Sequence, residues 1–326
     1  GAGQGNGLIK SVEIGNEPGG EFDDGLYQEL FRQMAAGIRG ADPDFKIATC
    51  TVHVGAADKY HKSLDETFGC PELLALVDVL NVHIYATLPT EHQKHPWDRT
   101  YPEDPRSDFL SSLDRVIAWR DLHAPGKEIW VTEFGWDACS AEALTRREGA
   151  FAEFNWTGTT ELEQAQYLIR ASLLLSTKPV ERAYIFWYND EDSPSVHGAS
   201  GITRHFEPKP AYWALVQLQE LAGNFRYDKT IHSDGGKWIL AFRSDDGKQL
   251  WVAWTTRRIE SRLCASELPE GLAFKEVYPM QTSWRSPDPL PKNNTYKLTP
   301  EITYFLLEDS GLSRLPKASP GAKRLQ

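Results

Sequence analysis

The stretch Glu13-Ile-Gly-Asn-Glu-Pro18 ends a short apolar run on a glutamate and stops it with a proline. A second stretch, Trp130-Val-Thr-Glu-Phe-Gly-Trp136, does the same around Glu133. Both runs read as strands, and a parallel α/β barrel gathers the residues at the C-terminal ends of its strands into one mouth. Two strand-end glutamates, Glu17 and Glu133, therefore read as a carboxylate pair sharing one site. Taken alone, Glu17 could equally serve as a charge at a helix N-terminus.

Working outward, short apolar runs alternate with amphipathic stretches from residue 8 to about 222, the pattern of βα units on a parallel sheet. Five strands are expected, Ile9–Asn16, Lys46–Val54, Val77–Tyr85, Glu128–Phe134 and Arg182–Tyr188. Between the first two, Tyr27, Leu30, Phe31, Met34 and Ile38 recur at helical spacing, with Asp23 or Asp24 as the cap. Phe109–Ile117, Leu162–Leu173 and Ala211–Leu221 repeat the rhythm. From Gly223 to about Glu308 the chain reads instead as short strands and turns. Lys237–Arg243 and Gln249–Thr255, joined through Asp245–Gly247, predict a hairpin, and Ala273–Tyr278 and Ile302–Leu307 predict further strands. The domains expected are a truncated barrel over 1–222, a small antiparallel β-sandwich over 223–309 and a loose polar tail over 310–326.

Alternation along a strand decides which side chains face the barrel interior. Ile129, Val131 and Glu133 share one face of their strand; Asn81, His83 and Tyr85 share one face of theirs, opposite Val82 and Ile84. The polar set is expected to point inward, because the other face meets helices. By the same reasoning Thr49, Thr51 and His53 line one face, and Trp187 lies with Ala183 and Ile185. His53, His83, Tyr85 and Trp187 thus join the two glutamates at one mouth. A histidine in His53's position is also common as a hydrogen-bonded core residue. Trp97 and Trp136 either stack on a ligand or simply pack their loops.

The 35 basic and 46 acidic residues give a net charge of −11, which disfavours nucleic acid or an anionic membrane as partner and suits a neutral ligand. Cys50, Cys70, Cys139 and Cys264 have no metal-like spacing and read as free thiols. His92, His95, His197 and His205 fall in loops that are candidates for the rim of the mouth; they show no short ligand pattern, so neither metal nor cofactor is expected. No apolar run is long enough to span a bilayer, and the N-terminal Gly-Ala-Gly-Gln-Gly-Asn-Gly lacks signal-peptide features. The compartment stays open between cytoplasm and secretion with a signal removed.

With these motifs in order, the sequence resembles the retaining glycoside hydrolases of clan A, the (β/α)8-barrel superfamily that includes families 5, 30, 39 and 51. Asn16-Glu17-Pro18 resembles the strand-four motif with the acid/base, and Thr132-Glu133-Phe134-Gly135 the strand-seven nucleophile. The resemblance implies that Tyr85 hydrogen-bonds the nucleophile, that His83 lies near the acid/base, that Asn16 binds a sugar 2-hydroxyl, and that Trp187 floors the innermost subsite. It spans roughly residues 9–222. Such a barrel holds three βα units, on the order of 100 residues, before strand four, whereas ten residues precede Ser11 here. The expectation is units four to eight of a barrel, with its open edges covered by self-association or the gene a fragment of a longer enzyme. The function implied is β-glycoside hydrolysis with retention on an oligo- or polysaccharide or small β-glycoside; the alternative is a weak or inactive carbohydrate-binding descendant.

Overall fold

The computed structural model describes residues 8–310. It divides into two compact units between Trp213 and Ala214.

The first unit is built on a parallel sheet of β1 (Ser11–Glu13), β2 (Lys46–His53), β4 (Val79–His83), β5 (Glu128–Phe134) and β6 (Arg182–Ile185), hydrogen-bonded in that order, with β3 (Lys62–Ser63) also paired to β2. These are the five expected strands, several shortened at their ends, and they form a half-barrel. Crossover segments α1 (Asp24–Ala41), α2 (Leu64–Phe68), α3 (Pro71–Leu74), α4 (Phe109–His123), α5 (Ala141–Arg146), α6 (Gly149–Phe154) and α7 (Glu161–Leu175) run between them. Short strands β7 (Asn189–Asp190), β8 (Thr203–Arg204) and β9 (Glu207–Pro208) make a separate small sheet, and α8 (Pro210–Ala222) follows, with its residues from Ala214 on in the second unit.

Helix α1 starts where Asp23 accepts from the Leu26 N–H at 2.8 Å, and it buries Tyr27, Phe31 and Ala35. The spacing of four per step gives one stripe; Met34, expected on that stripe, is 44 % exposed. Phe31 meets Phe68 of α2 edge-on at 5.3 Å. The Tyr27 hydroxyl donates to the Ile14 carbonyl at 2.6 Å and accepts from the Cys50 N–H at 3.2 Å. One side chain thereby ties α1 to the first two strands just before the chain turns at Gly15. That glycine has φ +86°, a conformation a Cβ would strain, and its turn delivers Glu17.

Two sheet irregularities correct the simple alternation. The β4/β5 register skips one residue between Val82↔Val131 and His83↔Glu133, leaving Thr132 as a bulge. Trp130 clusters with Ala48 and Val79, and the Thr132 hydroxyl faces Asn81 and Glu13, so the inward side of β5 is Trp130, Thr132 and, past the bulge, Glu133. Ile129 and Val131 do not share Glu133's face. In β2 a register shift between Ala48 and Thr51 lets the Thr49 and Thr51 hydroxyls accept from the Asn81 and His83 N–H groups.

The second unit holds a five-stranded antiparallel sheet, β10 (Phe225–Asp234), β11 (Lys237–Ser244), β12 (Gln249–Thr255), β14 (Leu272–Pro279) and β16 (Thr303–Asp309), ordered β10-β11-β12-β16-β14. A ribbon of β13 (Ser261–Cys264) and β15 (Thr295–Leu298) adds Leu263, Tyr296 and Leu298 to a core with Ile239, Trp251 and Phe305. The expected hairpin is β11–β12, paired from Lys237↔Thr255 to Arg243↔Gln249. Of the expected tail, all but Ser310 lies outside the described residues.

Candidate active site

Glu17, His83 and Glu133 converge at the C-terminal ends of β1, β4 and β5. The His83 ring, 1 % exposed, places Nδ1 2.9 Å from Glu17 Oε1 and 3.4 Å from Glu133 Oε2. One oxygen of each carboxylate and a ring nitrogen lie within 4.8 Å of one another. Tyr85 donates its hydroxyl to Glu133 Oε2 at 2.7 Å. Burial, and then the Glu133 charge, push the Tyr85 hydroxyl far up, so it remains a donor.

The charges run against the roles expected of the two glutamates. The hydrogen bond from His83 lowers the Glu17 carboxyl, outweighing partial burial. Burial raises Glu133, opposed by His83 and by the Tyr85 hydrogen bond. A general acid must hold its proton and a nucleophile must be ionised, so each carboxyl leans toward the other's requirement.

A third carboxyl, unnoticed in the sequence reading, sits behind them. Glu13 of β1 has its Oε1 3.9 Å from His83 Nε2, and neither atom has a hydrogen-bond partner. Its Oε2 lies 3.3 Å from the Thr132 hydroxyl, which also donates to Asn81 Oδ1 at 2.5 Å. Burial raises Glu13 to about 7, with His83 pulling the other way. The signal was present, because Glu13 is a charge inside a strand and stands two and four residues before Gly15 and Glu17 in the period of two.

Arg99 is unmarked in the sequence, whereas His197 is one of the loop histidines expected as candidates for the rim of the mouth. The Arg99 guanidinium lies over the Tyr85 ring at 4.2 Å, donates to the Gly135 carbonyl at 2.9 Å and stands 3.3 Å from Asp137. It lowers Glu133 through space. His197 packs edge-on against Tyr85 and Phe186, and burial, then Arg99, depress its imidazole. Both lie in long connections, where neither periodicity nor a motif marks them.

A cavity of about 540 Å³ opens beside these groups, lined by Glu17, His53, His83, Tyr85, Trp97, Arg99 and His197 among others, a size suited to a small ligand. Of the residues proposed from sequence, Asn16 is exposed beside Glu17, and its carbonyl accepts from the Thr51 N–H. Trp187, 44 % exposed, follows β6 and stacks parallel to Phe186 at 5.4 Å. Trp136 corrects the expectation of a sugar-stacking residue. It is fully buried between Phe109 and Tyr167 and donates its indole N–H to the Thr100 carbonyl, so no ring face is open.

The fold is similar to that of several solved glycoside hydrolases. The chain is similar to a family 39 glycoside hydrolase from Bacteroides cellulosilyticus WH2, with TM-score 0.61 and 20 % identity over 91 % of this chain and 57 % of that one. It is similar to AbfB, a family 51 α-L-arabinofuranosidase from Bifidobacterium longum, with TM-score 0.57 and 14 % identity over 92 % and 68 %. A family 44 endoglucanase produced by Clostridium acetobutylium ATCC 824 gives TM-score 0.57 and 12 % identity over 92 % and 66 %. The chain therefore spans a little over half the length of the family 39 structure. No protein-family model and no curated protein matches it. Among the described residues no helix is long and apolar enough to cross a membrane.

Proposed function

We propose that this chain carries the acid/base and nucleophile of a retaining β-glycoside hydrolase. The observation that carries the reading is the single imidazole nitrogen of His83 held against both Glu17 and Glu133, with their nearest oxygens within 4.8 Å. Carboxyl groups about 5–5.5 Å apart leave no room for a water between carboxylate and sugar and favour direct attack.

In this reading Glu133 attacks the anomeric carbon while Glu17 protonates the departing oxygen, giving a covalent glycosyl-enzyme. Glu17 then takes a proton from the water that releases the sugar. Tyr85 and Arg99 favour the ionised form of Glu133 and so oppose the burial that raises it. A ligand in the cavity strips water from Glu17, whose side chain is 28 % exposed, and desolvation raises its carboxyl toward the range an acid needs. Asn16 binds the 2-hydroxyl and Trp187 offers its ring to the sugar. Among the described residues β1 pairs only with β2 and β6 only with β5, so the site as read is the part supplied by barrel units four to eight.

The test is turnover of a panel of aryl β-glycosides. Activity abolished by Glu133→Gln, with the β-anomer appearing first by proton NMR, supports the reading. Activity untouched by that substitution refutes it, and sugar binding with no turnover in the parent chain marks a binding protein instead.

A further inference from the structure

The loop after β2 brings His53, Asp58 and His61 together on the wall of the cavity that Glu17 also lines. His53 closes β2, and β3 returns beside it in register His53↔Ser63, so Asp58 and His61 are carried back to the strand end they left. Asp58 Oδ1 accepts the Tyr60 and His61 N–H groups, each at 2.8 Å, which fixes the carboxylate. His61 Nδ1 lies 3.0 Å from both carboxylate oxygens, and His53 Nδ1 lies 3.8 Å from Oδ2. The two rings stand 5.2 Å apart.

His53 settles its own tautomer. Its Nε2 is 2.7 Å from the Ala56 carbonyl, which can only accept, so Nε2 carries the hydrogen and the neutral ring keeps a lone pair on Nδ1. A ring N–H given to a backbone carbonyl is the support that metal-ligating histidines generally have. We propose that His53 Nδ1, Asp58 and His61 form a divalent transition-metal site, with Zn2+ the ion its donors fit.

Two imidazoles and a carboxylate match the ligand preferences of Zn2+, at bond lengths of about 2.0–2.2 Å. Two ligands on one tetrahedral ion then lie about 3.3 Å apart, and the separations of 3.0 and 3.8 Å bracket that value. The ligand atoms lie within 4.8 Å of one another and the two rings are nearly parallel, at 16°, so closing the set needs the rings to turn toward a common point and the His61 proton to move from Nδ1 to Nε2. The side chains are 25 to 47 % exposed, so an ion can enter and keep water in its open positions.

The loop is also held in place without the ion. Gly19 and Gly20 donate to the Tyr60 and Lys59 carbonyls at 3.2 and 2.9 Å, and a Cβ on Gly19 would come 2.3 Å from the Asp58 carbonyl. Only glycine admits this approach, and it pre-forms the donor set.

The test is calorimetric titration of the full chain, stripped with chelator, with Zn2+ alone near neutral pH; the readout is binding and needs no turnover. One ion per chain is expected, weakened at least about tenfold in both His53→Gln and His61→Gln and unchanged in Glu17→Gln, with circular dichroism showing each variant folded. No binding, or binding that survives either histidine substitution, overturns the site. So does loss in Glu17→Gln, which would move the ion to the Glu17, His83 and Glu133 cluster.

Discussion

Nε2 of His83 and Oε1 of Glu13 face each other across 3.9 Å, both buried and both without a hydrogen-bond partner. That separation is too long for a hydrogen bond, so Glu13 is desolvated with little compensation, and burial lifts it from 4.5 to about 7. The sign follows from proton counting. Below 4.5 the folded and unfolded chains both hold the proton; between 4.5 and about 7 the folded chain holds more, so stability falls as pH rises. Above that window the penalty is about 3 kcal/mol. Glu13→Gln copies the neutral carboxyl, so it is expected to raise stability by about 1–3 kcal/mol near pH 8 and by little near pH 4. Urea unfolding at the two pH values measures this; an equal effect at both would show that Glu13 does not titrate as described.

Tyr85 is the hydroxyl that opposes the burial of Glu133, through a 2.7 Å hydrogen bond. Tyr85→Phe keeps the ring under Arg99 and removes only that donor. Glu133 then rises further, and on the proposed mechanism the acidic limb of kcat/KM for an aryl β-glycoside moves to higher pH. A uniform loss of rate with the limb unmoved would assign Tyr85 to packing alone.

The strands and the order of the motifs were legible because burial on both faces writes apolar runs, and because a strand-end glutamate before proline or glycine stands out from them. His83 and Tyr85 fell on the predicted face for the same reason. The Thr132 bulge was not legible: it inserts one residue without changing composition, so Trp130 and Thr132 were placed on the wrong side. Strand β10 was missed because it is an edge strand with six exposed residues among Phe225–Asp234 and two register shifts, and its polar sequence lacks an apolar run. Arg99 and His197 reach the site through loop geometry, which no local pattern encodes.

Trp136 and Trp187 look alike in sequence, each following a strand that ends near the site, and the structure separates them by exposure. Trp136→Ala removes a fully buried indole and its bond to Thr100, and is expected to cost about 3–5 kcal/mol. Trp187→Ala, at a half-exposed ring, is expected to leave stability within about 1 kcal/mol and to weaken binding of a β-glycoside about tenfold or more through lost stacking. Thermal unfolding and sugar titration of both variants distinguish the roles; a Trp187 variant as unstable as Trp136→Ala would make it a core residue too.

Arg170 of α7 and Glu103, on the long connection after β4, form an ion pair sealed from water, with side chains 0 and 1 % exposed. Nε donates to Oε1 at 2.8 Å and Nη2 to Oε2, a bidentate grip, while the Tyr101 and Tyr167 rings stand 5.6 and 5.3 Å from the guanidinium. The pair fastens the connection that carries Arg99 to the helix behind it. Removing one charge leaves the other buried and uncompensated, so Glu103→Gln or Arg170→Met is each expected to cost about 3–5 kcal/mol. Replacing both removes both desolvation penalties, and the double variant should lose no more than either single one. Urea unfolding of the four proteins closes the cycle. Additive losses would mean that the two charges do not depend on each other and that the grip holds by shape, whereas recovery in the double variant identifies the charge pair itself as what locks the loop.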